Sequence, residues 1–497
     1  ASSGGETQTA SESAESGKIT KTDIVIGQAS DIVTLDPAGQ QDTTSGVLMK
    51  HAYSTLLDVD NEGKVVPDLA ESYEMKSDTE YVFKLREDAC FWDGTPVTAQ
   101  DVKFSLDRAK GMPKTKSNTS KIEEVTVNGD HEVTIKLTEP YAAFKTIVTQ
   151  HNLSILSEKA VTEAGDSYGD VDNLLGSGPF KVTEWVPNDH YTLVRNDNYW
   201  GEMPIATSIT CRVIPEGSAR TIALEAGEID VVWSVDPTDC ANVESNPDVK
   251  LLSQPSTGID YVGMNTQKEK FSDKRVRQAI NYALDKQTFV DTIIEGRGLV
   301  ANSYINAAIP GWTDEVEAYP YDPEKAKELL AEAGYPDGFE CSIFVNGDLR
   351  TRSAQILQAQ LADVGIKVDI STYEWGALLD TLNAGEHEMF LLGWSNTSFD
   401  PDGSTYQLFY SGNHGATGNR AFFSNDKVDE LILSAQRESE ESKRMELYKE
   451  LQFVLHDESP WCPLYYKENN VGVRADLKGF TLHAGAQHYL GNCHYEE

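Results

Sequence analysis

Residues 352–370 confine the chain to the α/β class. Ala354, Leu357, Leu361 and Val364 recur at three- and four-residue spacing, which places them on one face of a helix. The stripe stops at Gly365 and passes into Ile366-Lys367-Val368-Asp369-Ile370, whose alternation reads as a strand. Helix, glycine and strand in that order build a helix-on-sheet layer. The same grammar recurs upstream. Ser272-Asp273 precedes a stripe of Val276, Ile280, Ala283 and Leu284, and Asp322-Pro323 opens a helix that ends at Gly334. Strands are expected at Asp23-Ile24-Val25-Ile26-Gly27, over residues 81–85 and over residues 132–137. These stripes are core faces.

With 497 residues the chain exceeds what one hydrophobic core supports, so two or more lobes are expected. No stretch reaches the about eighteen apolar residues that cross a bilayer. A net charge of −38 excludes nucleic acid as a partner and disfavours anionic lipid, since both need basic surfaces. The charge reads as a solubility device, with attraction of cations as the alternative. Residues 1–19 read as a flexible tether: the first eighteen hold no apolar side chain larger than alanine, and the chain begins as though an export signal had been removed. Cys90, Cys211, Cys240, Cys341, Cys462 and Cys493 are scattered singly, which leaves room for one or two disulfides and matches no zinc spacing.

Catalytic signatures are missing: there is no G-x-S-x-G, Walker A, H-E-x-x-H or G-x-G-x-x-G. His387 lacks a second histidine at helical spacing and reads as a surface residue. His483, His488, Cys493 and His494 fit no compact metal site and read as structural. What stands out is residues 393–403, where the apolar run 389–392 empties into a loop carrying Trp394, Asn396, Thr397, Asp400 and Asp402. In open α/β sheets, ligands sit beyond the carboxyl ends of strands.

Several blocks in a fixed order resemble the dipeptide/oligopeptide/nickel class (family 5) of solute-binding proteins of ABC transporters, over residues 20–497. They are PDLAESY (67–73) with YVFKLREDACFWDGTPVTAQDVKFSLDR (81–108), GSGPFKVTEW (176–185), LEAGEIDVV (224–232), FSDKRVRQAINYALDK (271–286) and YDPEKAKELLAEAGYPDGF (321–339). The resemblance implies a two-lobed Venus-flytrap periplasmic-binding-protein fold (class II, cluster C) with an extra subdomain in lobe one. Its implied layout is lobe one over 20–260 including an accessory subdomain at about 52–175, lobe two over 261–465, and a return to lobe one over 466–497. Phe91 and Trp92 are then core residues of the accessory part. The implied activity is capture of a short peptide or peptide-like solute for import, without catalysis and without cofactor. The chain is expected to act as a monomer with membrane permease subunits as partners, outside the cytoplasm, as a lipoprotein or a free periplasmic protein.

Within the family, residues 372–376 and Gly393-Trp394 look like the dipeptide-binding branch, whose aspartate three positions after that tryptophan anchors the peptide ammonium. Here the position is Thr397, and Asp400 or Asp402 is the alternative anchor. Residues 419–429 and 458–464 look like the glutathione-binding branch, so a γ-linked or modified peptide is also a candidate. Arg350, just ahead of the helix, suits a bidentate carboxylate pair, and Arg420 is a second candidate. The expected binding set is Thr43, Thr44, Tyr261, Arg350, Trp375, Trp394, Asn396, Thr397, Asp400, Asp402 and Arg420. His414, near a histidine of the nickel-binding branch, is a weak metal candidate. Alternative functions are nickel or metal-chelate capture, peptide sensing and, least, a peptidase.

Overall fold

The computed structural model describes residues 17–497. Most of the expected tether, residues 1–16, lies outside the described residues. Its last positions belong to the fold: Ile19–Lys21 pairs antiparallel with Tyr495–Glu496, so order begins ahead of Asp23. That edge ribbon is short and exposed, which is why no apolar pattern announced it.

Two long strands organise the molecule. Val249–Met264 and Trp461–Arg474 pair antiparallel along their length and belong to both lobes. On one side of this pair lie Val231–Val232, Asp23–Gln28, Ser208–Val213, His190–Arg195 and Phe180–Val186. On the other lie Met389–Ser395, Phe339–Val345 and Ile366–Thr372. Between Pro255 and Ile259 the ladder loses register. Residues 256–258 turn their hydrogen bonds aside there: Ser256 Oγ donates to the Lys467 carbonyl at 2.6 Å and Thr257 Oγ1 to the Asn396 carbonyl at 2.8 Å.

Each lobe has its own core. Lobe one buries Ile24, Ile26, Tyr191 and Ile209 together with Val471, Val473 and Leu490, so the C-terminal segment closes the lobe that the N-terminal strand opens. Lobe two buries Val276, Ile280, Leu357, Leu361, Ile366 and Val368 in one cluster. These are the stripes predicted from spacing, and each such aliphatic side chain contributes about 2 kcal/mol by leaving water. A third core belongs to the accessory part, a four-stranded antiparallel sheet in the order Ala70–Ser77, Glu80–Leu85, Glu132–Leu137, Ile122–Val127. Phe91 lies in this core, and Trp92 packs against lobe one. The helix Ala99–Lys110 covers the sheet, its first turn fixed by the Asp101 carboxylate accepting from the Thr98 N–H at 2.9 Å.

Caps fall where the sequence puts them. Asp322 accepts from the Lys325 N–H ahead of Pro323–Glu332, and Asp273 from the Arg275 N–H ahead of Lys274–Ala283. Three expectations are corrected. The helix begins at Asp348, not Arg352, because Gly347 at φ +82° makes the turn that starts it, so Arg350 lies within the first turn. His387 is fully buried, not superficial: its Nε2 lies 2.6 Å from the Arg420 carbonyl and burial lowers its pKa to about 4. All six cysteines are free thiols, five of them buried in separate places.

The cleft between the lobes

A cavity of about 290 Å³ lies between the lobes. Lobe one contributes the start of the helix Thr43–Ala52 with Gln41 and Asp42 before it, and Gln150 from the accessory part. Lobe two contributes Arg350, Trp375, Trp394, Thr397 and Arg420, and the crossing strand supplies residues 467–470. A second chamber of about 890 Å³ adjoins it, sharing Arg350, Trp375, Leu379, Lys467, Glu468 and Asn470.

The lobes are shut in this conformation. Trp375 Nε1 donates to Asp42 Oδ2 at 3.1 Å, Arg420 Nη2 to Gln41 Oε1 at 3.1 Å, and Thr397 Oγ1 to Gln150 Oε1 at 2.7 Å. The accessory part also meets lobe two: Tyr141 donates to Asp402, and Lys121 and Arg437 converge on Glu139.

Asp260, 1% exposed on the crossing strand, is the charged centre beside the cavity. Arg350 forks onto it at 3.2 Å through Nε and 3.2 Å through Nη2, Lys467 Nζ lies at 3.0 Å, and Tyr465 donates at 3.2 Å. Burial alone would push the Asp260 carboxyl up, but the two cations hold it well below the usual carboxylate range. One carboxylate against two cations leaves the cluster net positive. Gly393 makes room for it, since a Cβ there would sit 2.4 Å from Arg350 Nη2 and 2.7 Å from Asp260 Oδ1. Arg350 is therefore shared with a protein carboxylate rather than waiting free for a solute.

Arg420 is different. It is 5% exposed, and among the described residues its guanidinium meets no carboxylate at salt-bridge distance: Nε donates to Asn383 Oδ1 and Nη2 to Gln41 Oε1, both neutral amides. Burial pushes its pKa below the usual guanidinium value, with Tyr261 and Asp42 pulling the other way.

Thr43, Thr44, Trp375, Trp394, Thr397, Arg350 and Arg420 all line the cavity. Four expected residues have other work. Tyr261 is 1% exposed and stacks on Trp461 at 3.4 Å between ring centroids, inside a hydrophobic cluster. Asn396 shapes its own loop, accepting from the Ser398 and Phe399 N–H groups and donating to the Asp400 carbonyl. The Asp400 carboxylate is forked by Arg444 at 2.9 and 2.5 Å. Asp402 is buried between Tyr141 and Gln436, where burial, aided by Asp400, pushes its pKa up to about 6. A buried carboxylate seeks donors wherever the fold offers them, and here the protein offers them first. Neither Asp400 nor Asp402 lines the cavity of about 290 Å³ that Thr397 lines. His414 Nε2 lies 2.9 Å from the Phe423 carbonyl, and no group of three metal-binding side chains occurs among the described residues.

Sequence reasoning missed Asp42, Asp260 and Lys467. Asp42 had a signal: in Asp-Thr-Thr-Ser it caps the helix, accepting from the Ser45 N–H at 3.0 Å. Asp260 and Lys467 stand 207 positions apart and had none.

Two lobes with separate cores, joined by a pair of shared strands and shut over a polar cavity, define a solute-binding protein of the flytrap kind. The profile of bacterial extracellular solute-binding proteins, family 5 (middle part), matches residues 64–416, and the chain belongs to that family. It is 31% identical over 479 residues to the glutathione-binding protein GsiB of Escherichia coli strain K12, covering 93% of this chain and 92% of that one. To the dipeptide-binding protein of the same strain it is 30% identical over 470 residues, covering 87% and 86%. The structure of the periplasmic binding protein DppA from Helicobacter pylori with the peptide STSA superposes at a TM-score of 0.90, with 28% identity over 96% of this chain and 98% of that one. No helix among the described residues is long and apolar enough to cross a membrane.

Proposed function

We propose that the chain captures a short peptide or peptide-like solute outside the cytoplasm and delivers it, chemically unchanged, to the permease of an ABC importer. The observation that carries this reading is the polar cavity bridged from both lobes, with Trp375 and Arg420 reaching across to Asp42 and Gln41. The names of its relatives, one binding glutathione and one dipeptides, support the solute class. Thr43, Thr44, Trp375, Trp394, Thr397, Arg350 and Arg420 are the contact set of this reading. The lobes divide at residues 260/261 and 465/466, and the accessory subdomain occupies about 52–175. The chain works as a monomer, as a cell-surface lipoprotein or a free periplasmic protein. Closure is a population shift, so the solute must bind the shut form better than the open one.

Native mass spectrometry of the purified protein, followed by melting curves with dipeptides, tripeptides, glutathione and nickel chelates, tests this. A peptide-like solute should raise the melting temperature and reduce the radius of gyration. Cleaved product, or a response to chelated nickel alone, overturns the reading.

A further inference from the structure

One acid and one base in the cleft form no salt bridge among the described residues; Asp42 is felt only at longer range, by Lys114 and by Arg420 itself. Asp42 uses Oδ2 for the Ser45 N–H and for Trp375 Nε1, while its Oδ1 is buried without a partner among the described residues. Arg420 spends two of its N–H groups on neutral amide oxygens. Both residues line the same cavity, Asp42 from lobe one and Arg420 from lobe two, and Gln41 beside Asp42 touches the guanidinium. A buried carboxylate oxygen and a buried guanidinium left this way cost free energy until opposite charges arrive. A lone anion on Arg420 would face Asp42, and a lone cation on Asp42 would face Arg420. A group carrying both charges side by side satisfies each.

We propose that Asp42 and Arg420 together seat a zwitterionic α-amino acid head, with its ammonium on Asp42 and its carboxylate on Arg420. This rests on the peptide-like reading above and narrows it. The favoured solute carries free amino and carboxyl groups on one carbon, as a γ-linked glutamyl peptide does and an α-linked peptide of two or more residues does not. The head bridges the lobes, so its binding also favours the shut form. The role that an aspartate at position 397 would have served passes to the helix cap of the opposite lobe.

Calorimetric titration of the ligand-free protein with γ-Glu-Ala and α-Glu-Ala, isomers of identical formula and charge, provides the test. The γ isomer should bind at least about tenfold tighter, in line with losing one buried charge pair. Acetylating its amine or amidating its α-carboxyl should abolish that margin. Asp42→Asn, which keeps the helix cap, and Arg420→Gln should each reduce γ-Glu-Ala to the level of its isomer. Equal or tighter binding of α-Glu-Ala, or a preference that survives both substitutions, overturns the inference and leaves peptide capture standing. Silence of both isomers and of Ala-Ala overturns the two together. Should either variant fail to fold, the blocked probes on the unaltered protein decide the matter.

Discussion

At the scale of single residues, burial and not exposure sets what the charged groups do. Asp402 titrates near 6 because its carboxylate is out of water and near Asp400. An acid whose folded pKa is raised favours the fold while protonated. That advantage is complete below the ordinary value of 3.8 and lost as pH rises through about 6. Relative to Asp402→Asn, the unaltered protein should therefore lose about 3 kcal/mol of stability between pH 4 and 7. Urea unfolding of the pair across that range checks it, and parallel curves would show that Asp402 does not hold its proton. Much of this scale was illegible in the sequence. Their place near a loop or helix start makes Asp400, Asp402 and Arg350 candidate ligand anchors but hides the partners each of them has within the protein. Arg444, Tyr141 and Asp260, which claim them, lie 44, 261 and 90 positions away and meet them only through tertiary packing.

Elements were far more legible. The stripe before Gly365 and the strand after it became helix and sheet because a periodic apolar face can be buried in only one way. That helix starts four residues ahead of its apolar stripe, since Asp348 to Thr351 carry little of the stripe and the turn at Gly347 is conformational. The strand Met389–Ser395 was legible as an apolar run, but the reason for Gly393 was not. Gly393→Ala would thrust a methyl group among Arg350, Asp260 and Lys467. It should cost about 1–3 kcal/mol in chemical denaturation and weaken solute binding, because an overfilled site must shift its neighbours. An alanine variant as stable as its parent would mean the charged cluster does not rest on this glycine.

For the whole molecule, five buried histidines act in concert. Desolvation lowers the pKa of His51 and His488 to about 3, of His151 and His387 to about 4, and of His483 to about 2, all from 6.5. A histidine whose folded pKa is depressed stabilises the fold above its unfolded value, and that contribution fades as pH falls toward the folded one. Five such groups outweigh the opposite slope of Asp402. The melting temperature should drop steadily from pH 6.5 to pH 4, and a flat profile would show that these rings admit protons without unfolding. The stretch between Pro255 and Ile259, where the ladder of the shared strands slips, has a further consequence. Each lobe keeps its own interior, so swinging open would flex a few backbone torsions there and break the contacts that span the lobes, among them the buried Tyr141–Asp402 hydrogen bond. Bending and latching therefore belong to different parts of the molecule, and substitutions in the cross-lobe latch would retune how readily it opens while both interiors stay intact.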